Sequence, residues 1–424
     1  MGGKRLVLET DALGNRVGGI ARRSGAKTVF VRGALPGERV ACRPVREKRS
    51  YVEAELLEVL QPSPHRREPD CREYGWCGGC SLQHLDYGRQ LHWKRRWVES
   101  ALRRQGIPGP APEATVPSPL VLGYRNRVTF EVADGRPGLH AFRGDPRPVG
   151  GCPLLPAEGN ALVRILAGSG ALGGCSRAAV RCSTGMRSLR VEVYGADGRP
   201  ELGLPEDVGL AWQTGGSWHS EGPELRERLG GMELPVPPGG FLQVNTAAAE
   251  GMVGRVTDLC GPGPVLDLYA GVGTFGLALA AQGRKVHCAE RNAAAVECAR
   301  RAAEEQGAGD ITFEAGRARG CLLREVRRGA VYDTVVADPP RSGMGVRAAR
   351  LLRRLDARRL VMVGCDPFAM ARDLKVLVEG GYGVRRVLPV DLFPQTDHVE
   401  TVVLLDRRNG AAGRVNTREE VCNG

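Results

Sequence analysis

A chain of 424 residues, 42% of them hydrophobic, can form two or three domains with ordinary cores, and it contains no apolar run near the ~20 residues of a membrane helix. A formal net charge of +12 and a pI near 9.3 favour a polyanionic partner, nucleic acid first. Thirteen cysteines, an odd number, follow a start (MGGKRLVLETD) with no secretory pattern; this argues against a disulfide framework, predicts a cytoplasmic protein with no membrane partner, and raises metal or catalytic roles for the thiols.

Residues 4–62 read as a small β domain. Strand-like runs at Arg5–Leu8, Lys27–Val31, Arg39–Arg43 and Tyr51–Leu60 are punctuated by Gly14, Gly18, Gly19, Gly33 and Gly37. This spacing suggests an OB-type barrel, a fold that commonly binds oligonucleotides, and fourteen Lys/Arg against nine Asp/Glu in residues 1–70 agree with RNA contact. Next, CREYGWCGGC sets Cys71, Cys77 and Cys80 among glycines that let a loop wrap a metal centre; Cys152, in a similar Gly-Gly-Cys-Pro setting, is the best fourth ligand. Four thiolates suit either zinc or an iron–sulfur cluster. Asp86–Gly106 predicts a basic helix with Leu91, Val98 and Leu102 on one side, and Pro108–Pro119 reads as a linker. Residues 120–240 read as β-rich, with strands at Arg127–Val132, Ser188–Tyr194 and Leu210–Gln213; Gly123-Tyr-Arg-Asn-Arg127 is either a phosphate contact or an exposed turn.

From Gly240 the pattern becomes α/β. Strands are predicted at Val265–Leu268, Lys285–Glu290, Ile311–Glu314, Tyr332–Ala337, Leu360–Gly364, Val384–Val390 and Thr401–Leu405, with helices between the first six and an antiparallel pair last. Residues 409–424 read as a disordered tail. The region is organised around VLDLYAGVGTFGLALA (Val265–Ala280), a buried strand running through Gly271, Gly273 and Gly276 into a helix. This G-x-G-x-x-G fits a dinucleotide or S-adenosylmethionine (SAM) about equally well, and Glu290, ending the next strand, can accept from both ribose hydroxyls of either.

Three further stations discriminate: Asp338-Pro-Pro-Arg341 after the fourth strand, Cys365 after the fifth, and Glu400 entering the last. A nicotinamide dehydrogenase needs neither the thiol nor the last acid. Methylation of a pyrimidine at C5 needs both, because a thiolate adding to C6 makes C5 nucleophilic and a carboxylate must then take the C5 proton. Cys365 and Glu400 fit those roles, and Asp338 can accept from the base or fix the cofactor's methionine end.

With these residues in place, nearly the whole chain resembles the RNA uridine C5-methyltransferases, in the branch typified by the bacterial 23S ribosomal RNA enzymes. GGIAR and VFVRGALPGERV are similar to the family's TRAM domain, and Phe241-Leu-Gln243-Val-Asn245 to its F-x-Q-V-N cofactor motif. The resemblance implies a [4Fe–4S] cluster on Cys71, Cys77, Cys80 and Cys152, SAM contacts from Gln243, Tyr269, Glu290 and Asp338, Cys365 as nucleophile and Glu400 as base. It implies a class I, Rossmann-like methyltransferase domain (85–117 plus 240–408), a TRAM or OB-like domain (1–62) and a β-rich central domain carrying the cluster (63–84 plus 118–239). The expected substrate is a uridine of 23S ribosomal RNA, with a transfer RNA T-loop uridine, or RNA binding without catalysis, as alternatives; a monomer is expected. The chain departs from the family pattern at Asp366, where Asn is usual after the nucleophile, at Arg317, where an acid often follows the third strand's glycine, and at Thr274, a common Asn. The last two bear on cofactor affinity and leave the core chemistry in place.

Overall fold

The computed structural model describes residues 5–22, 25–140 and 144–408, so the tail expected at 409–424 lies outside the described residues. Strands β1 (Leu6–Glu9), β2 (Ala12–Gly14), β3 (Gly18–Ala21), β4 (Thr28–Arg32), β5 (Arg39–Glu47) and β6 (Tyr51–Gln61) form one sheet in the order β1-β5-β6-β4-β3-β2. The β5/β6 register shifts at three points, each an irregularity of the kind that bends a strand, and Leu8, Val29, Val31, Val40 and Ala54 fill the resulting concavity. Gly18 opens β3 directly after the turn at residues 15–17, with φ 82°, as punctuation should, while Gly19 lies inside the strand. A Cβ on Gly18 would sit 2.5 Å from the Val31 carbonyl and one on Gly19 2.9 Å from Ala34, so only glycine lets β3 lie this close to its neighbour.

Helix α1 (Tyr87–Arg104) starts where Asp86 accepts from the Arg89 amide. Its buried face is Gln90, Lys94, Trp97, Val98, Ala101 and Leu102, while Leu91 is only half-buried. One of its six basic side chains is therefore interior: Lys94 Nζ, fully buried, lies 2.5 Å from Asp391 Oδ1 and 2.9 Å from the Phe393 carbonyl.

The middle of the chain contributes β7 (Arg127–Ala133), β8 (Arg136–Leu139), β9 (Arg147–Pro148), helix α2 (Ala157–Ser169), β10 (Arg177–Cys182), β11 (Leu189–Tyr194), β12 (Val208–Thr214) and β13 (Ser217–Glu221). These seven strands form a second sheet, β13-β12-β11-β10-β7-β8-β9, in which only β11 and β12 run parallel. Leu162, Val163 and Leu166 of α2 pack into its core. At its centre the buried Glu192 carboxylate meets Arg181 at 2.8 Å, Arg190 at 2.7 Å and Arg127 at 3.3 Å. Arg127 of the Gly123–Arg127 stretch is thus committed to an ion pair within the sheet. Arg181 and Arg190 reach on to the carbonyls of Gly240, Val236 and Pro237, which fastens the approach to the Phe241–Asn245 motif.

A hairpin, β14 (Arg226–Leu229) with β15 (Met232–Pro235), and helix α3 (Thr246–Leu259) lead into the third sheet. There β16 (Val265–Leu268), α4 (Thr274–Ala281), β17 (Val286–Glu290), α5 (Ala293–Gln306), β18 (Ile311–Ala315), α6 (Ala318–Arg327), β19 (Thr334–Ala337), α7 (Val346–Leu355), β20 (Arg359–Gly364), α8 (Pro367–Glu379), β21 (Tyr382–Val390) and β22 (Glu400–Arg407) follow in turn. The order is β18-β17-β16-β19-β20-β22-β21, parallel except for β22, which is antiparallel to both neighbours. The α/β sheet and the antiparallel last pair are as expected; β19 begins two residues later than predicted. Residues 108–119 are not a free linker. The amides of Glu113 and Val116 donate to Val387 and Pro389 of β21, and Asp391 donates back to Val116, so the segment straps the sheet's edge. No helix among the described residues is long and apolar enough to cross a membrane.

Candidate active site

Strand register assembles the site. Leu268 pairs with Ala289 on one side and Ala337 on the other, so the next residues, Tyr269, Glu290 and Asp338, emerge side by side at the carboxyl edge. Gly364 pairs with Thr401 in antiparallel register, which brings Cys365 opposite Glu400 one step on. All five expected residues from this sheet therefore meet at one edge, the place where α/β sheets bind ligands.

The glycine loop follows from backbone demands. Tyr269, Gly271 and Gly273 have φ of 64°, 58° and 84°, and the amides of Tyr269 and Ala270 both donate to the Ala289 carbonyl. A Cβ on Gly276 would lie 2.3 Å from Cys288 Sγ, so α4 can lie on β17 only with glycine there. Glu290 Oε2 accepts from the Gly271 amide at 3.2 Å and Oε1 from Asn292 at 2.7 Å, which turns the carboxylate toward the loop. Of the three departures from the family pattern, two concern the cofactor: Thr274 is the first residue of α4, and Arg317 precedes α6 without a side-chain cap bond.

The site is rich in acids with few cations to balance them. Asp267, fully buried, accepts from the Gly276 amide at 2.9 Å; burial pushes its carboxyl up to about 8, with Asp338 and Glu290 adding to the rise. Burial pushes Asp338 up to about 7, opposed by the bond it accepts from Gln243 Nε2 at 3.1 Å. Burial, then the Asp338 charge, holds Glu400 well above the carboxylate range; Arg341 opposes this, and Glu400 Oε1 has no hydrogen-bond partner. The Cys365 thiol is pushed up to about 12 by burial and by Glu400, again against Arg341. Arg341 also bonds His398, whose ring burial and surrounding cations keep neutral. Carboxyls raised in this way are stabilised in their ionised form by a cationic ligand, such as the sulfonium and ammonium that SAM carries.

The Phe241–Asn245 motif joins this sheet to the middle one. Asn126 Nδ2 donates to the Gln243 carbonyl at 2.9 Å and to Thr246 Oγ1 at 3.0 Å, and the Arg125 backbone bridges Asn245. Asn245 caps α3 and donates to Ser118 Oγ at 3.0 Å. Phe241 is 63% exposed, an aromatic face left open at the cleft. Sequence reasoning passed over Asp267 and Asn126; Asp267 lies in the organising strand itself, and an acid inside a buried apolar run was the available signal. Arg341, inside a quoted motif, and His398, two residues before Glu400, were given no role, because their meeting depends on the β19/β20 and β20/β22 pairings.

Cys71, Cys77, Cys80 and Cys152 form a second centre. All four thiols are half-buried and feel one another's charge, Cys80 with Cys152 and Cys77, and Cys152 with Cys77 and Cys71. The Gly79 amide lies 3.3 Å from Cys77 Sγ, and Asn160 Oδ1 accepts from the Cys152 amide at 2.8 Å. Arg125, its Nε buried without a partner, adds positive charge beside Cys77, Cys80 and Cys152. Among the described residues, one further group of three donors lies within 4.8 Å of one another, His287, Glu314 and Cys321, where Glu314 is already bound by Arg324.

Residues 232–408 match the family described as tRNA (Uracil-5-)-methyltransferase. An uncharacterized RNA methyltransferase of Nitratidesulfovibrio vulgaris is 34% identical over 96% of this chain and 97% of its own length. The 23S rRNA (uracil(1939)-C(5))-methyltransferase RlmD of Chromohalobacter salexigens is 35% identical over 94% of this chain and 89% of its own. In structure, the chain is similar to the Pyrococcus abyssi tRNA (uracil-54, C5)-methyltransferase in complex with S-adenosyl-L-homocysteine, with a TM-score of 0.76 and 26% identity over 95% of this chain and 100% of that one. Sequence relatives along almost the whole length and an acidic, glycine-floored cleft lead to one conclusion: the chain belongs to the RNA uridine C5-methyltransferases and is a SAM-dependent RNA (uracil-5-)-methyltransferase.

Proposed function

We propose that this enzyme methylates C5 of one uridine in 23S ribosomal RNA, with Cys365 as nucleophile and Glu400 as base. The observation that carries the chemistry is the apposition across β20 and β22 of a thiol and a buried carboxylate whose Oε1 has no hydrogen-bond partner. The ribosomal substrate rests on relatives named as 23S rRNA methyltransferases, matched at 34–35% identity. Bound SAM supplies an electrophilic methyl group. The Cys365 thiolate adds to C6 of the uracil, and the displaced electron pair makes C5 nucleophilic. Once C5 carries the methyl, Glu400 takes the C5 proton, the C6–S bond breaks and the ring's double bond returns. Gln243, Tyr269, Glu290 and Asp338 hold the cofactor, and Phe241 offers a stacking face to an unpaired base. Mapping 5-methyluridine in ribosomal and transfer RNA from cells lacking the gene tests the substrate. Loss from 23S RNA alone supports the reading, and loss from the T-loop alone replaces it with the activity named for the Pyrococcus relative.

Cofactor affinity should depend on pH. SAM is a cation and binds the ionised form of Asp338, whose free-enzyme value is raised to about 7. Affinity is therefore expected to rise from pH 6 to pH 8, with proton release on binding near neutrality. Calorimetry in two buffers of different ionisation enthalpy measures this, and Asp338→Asn should flatten the dependence.

Cys71, Cys77, Cys80 and Cys152 are proposed to hold a [4Fe–4S] cluster in the central domain (63–84 plus 118–239). Support comes from four thiols that feel one another's charge and from Arg125, a cation beside what would be an anionic centre. When bound, the cluster ties the 71–80 loop to Cys152; the methylation chemistry asks no electron of it. Anaerobically purified protein should be brown, absorbing near ~400 nm; colourless protein with one stoichiometric zinc refutes the cluster. Residues 1–62 are read as a TRAM-like domain making phosphate contacts, and free thiols throughout the described residues agree with a cytoplasmic site of action.

A further inference from the structure

The turn between β2 and β3 reaches out of the N-terminal sheet and lands beside the nucleophile. Arg16 NH2 lies 2.9 Å from Asp366 Oδ2, the residue immediately after Cys365. Asn15 Nδ2 donates to the Asp397 carbonyl at 2.6 Å, on the loop that leads to Glu400. Behind the turn, Leu13 and Leu35 pack with Leu82, Leu85 and Trp97, and Trp97 Nε1 donates to the Leu13 carbonyl at 2.8 Å. The backbone is bent to allow this reach. Arg16 has φ 65°, a left-handed conformation that side chains other than Gly, Asn and Asp seldom adopt. A costly conformation at a residue that contacts the nucleophile's neighbour suggests selection for the contact.

Asp366 does two things at once. Its Oδ1 accepts from the amides of Phe368 at 3.0 Å and Ala369 at 2.9 Å, capping α8, and its Oδ2 takes Arg16. The cap alone needs only one oxygen, and an Asn would supply it. The second oxygen, and hence the carboxylate, has the guanidinium as its reason. Cys365 hangs between β20 and this cap, so its position depends on both ends of a two-residue span.

We propose that the Arg16–Asp366 pair is a positioning device: the N-terminal sheet, through Arg16, fixes the α8 cap and with it the approach of Cys365 to uracil C6. The inference rests on the reading of Cys365 as nucleophile. The N-terminal sheet is then part of the catalytic assembly as well as an RNA-holding module.

The test is the rate of covalent capture of RNA carrying 5-fluorouridine at the mapped target site, measured beside RNA affinity. Arg16→Gly removes the guanidinium while relieving the left-handed strain, so the fold survives. Asp366→Asn keeps the cap and loses the charge. A half-exposed ion pair carries at most about a fivefold effect, so each variant should slow capture about threefold to fivefold with RNA affinity unchanged. The double variant should be no slower than either single, and Arg16→Lys should recover part of the rate. Full capture rate in Arg16→Gly, or additive losses in the double variant, overturns the proposal. A loss confined to RNA affinity, with a shallower salt dependence, makes Arg16 a phosphate contact instead and overturns it equally. Absence of any adduct in the wild-type enzyme fails the nucleophile assignment itself and is distinguished from failure of the pair.

Discussion

Replacing Cys365 with alanine is expected to lower methyl transfer by roughly four orders of magnitude or more, the scale seen when a covalent nucleophile is removed. The side chain is half-buried at the end of β20, and alanine leaves a vacancy smaller than one sulfur, so unfolding is not the cause. SAM affinity should be unchanged, because the cofactor residues stand on β16, β17 and β19 and in the Phe241 motif. The wild-type enzyme should form a denaturation-resistant adduct with 5-fluorouridine RNA, since fluorine cannot leave as a proton does, and the alanine variant should form none. The other buried thiols of the sheet and its helices, Cys260, Cys288, Cys298 and Cys321, are covered and cannot substitute. An adduct mapped to any of them, or near-normal turnover without Cys365, ends the assignment.

Glu400→Gln should fail later and leave a different trace. Nucleophilic addition and alkylation need no base at C5, so the variant should capture and methylate RNA, then hold methylated RNA on Cys365 through denaturing electrophoresis. Turnover should fall by about a hundredfold to ten-thousandfold, the usual share of a general base. The charge of Glu400 is a cause of the raised Cys365 thiol value, so its loss should make the thiolate easier to form. Capture by Glu400→Gln should therefore reach half its maximum at lower pH than in the wild type. Release of product at the wild-type rate would remove Glu400 from the mechanism. A capture profile moved to higher pH would contradict the electrostatics and leave the base role standing.

The sequence disclosed those parts of the molecule whose signal is local. The run Val265–Leu268 into Gly271 and Gly273 is a strand and turn because each residue suits its own backbone, and Tyr269, Glu290 and Asp338 could be placed at strand ends by counting. Gly19 misled, because a glycine that permits a close strand approach looks the same in sequence as one that permits a turn. Pro108–Pro119 looked like a linker because its partners, Val387 and Pro389, are nearly three hundred residues away. Lys94 looked like surface charge because its counter-ion, Asp391, is equally remote. The β-rich middle was legible as a class, whereas the parallel β11/β12 pairing was not; it is set by the crossing chain and not by either strand's composition. The meeting of Arg341, His398, Cys365 and Glu400 likewise depends on interstrand registers that no short window contains.

The β20/β22 register has a consequence for synthesis. β22 is the last strand of the sheet in sequence but lies inside it, between β20 and β21. A nascent chain that has emerged only as far as residue 399 owns the nucleophile and the whole glycine loop, yet it has neither the base nor the strand that stands beside Cys365. The parallel strands can order as they leave the ribosome, while the place between β20 and β21 can be filled only once β22 has emerged. Competence for the full reaction thus arrives in a single late event. An unfinished chain, synthesised among ribosomal RNA, lacks the group that releases a captured strand and also lacks the strand that holds the capturing thiol in place. Catalysis is in this way tied to the entry of β22 into the sheet.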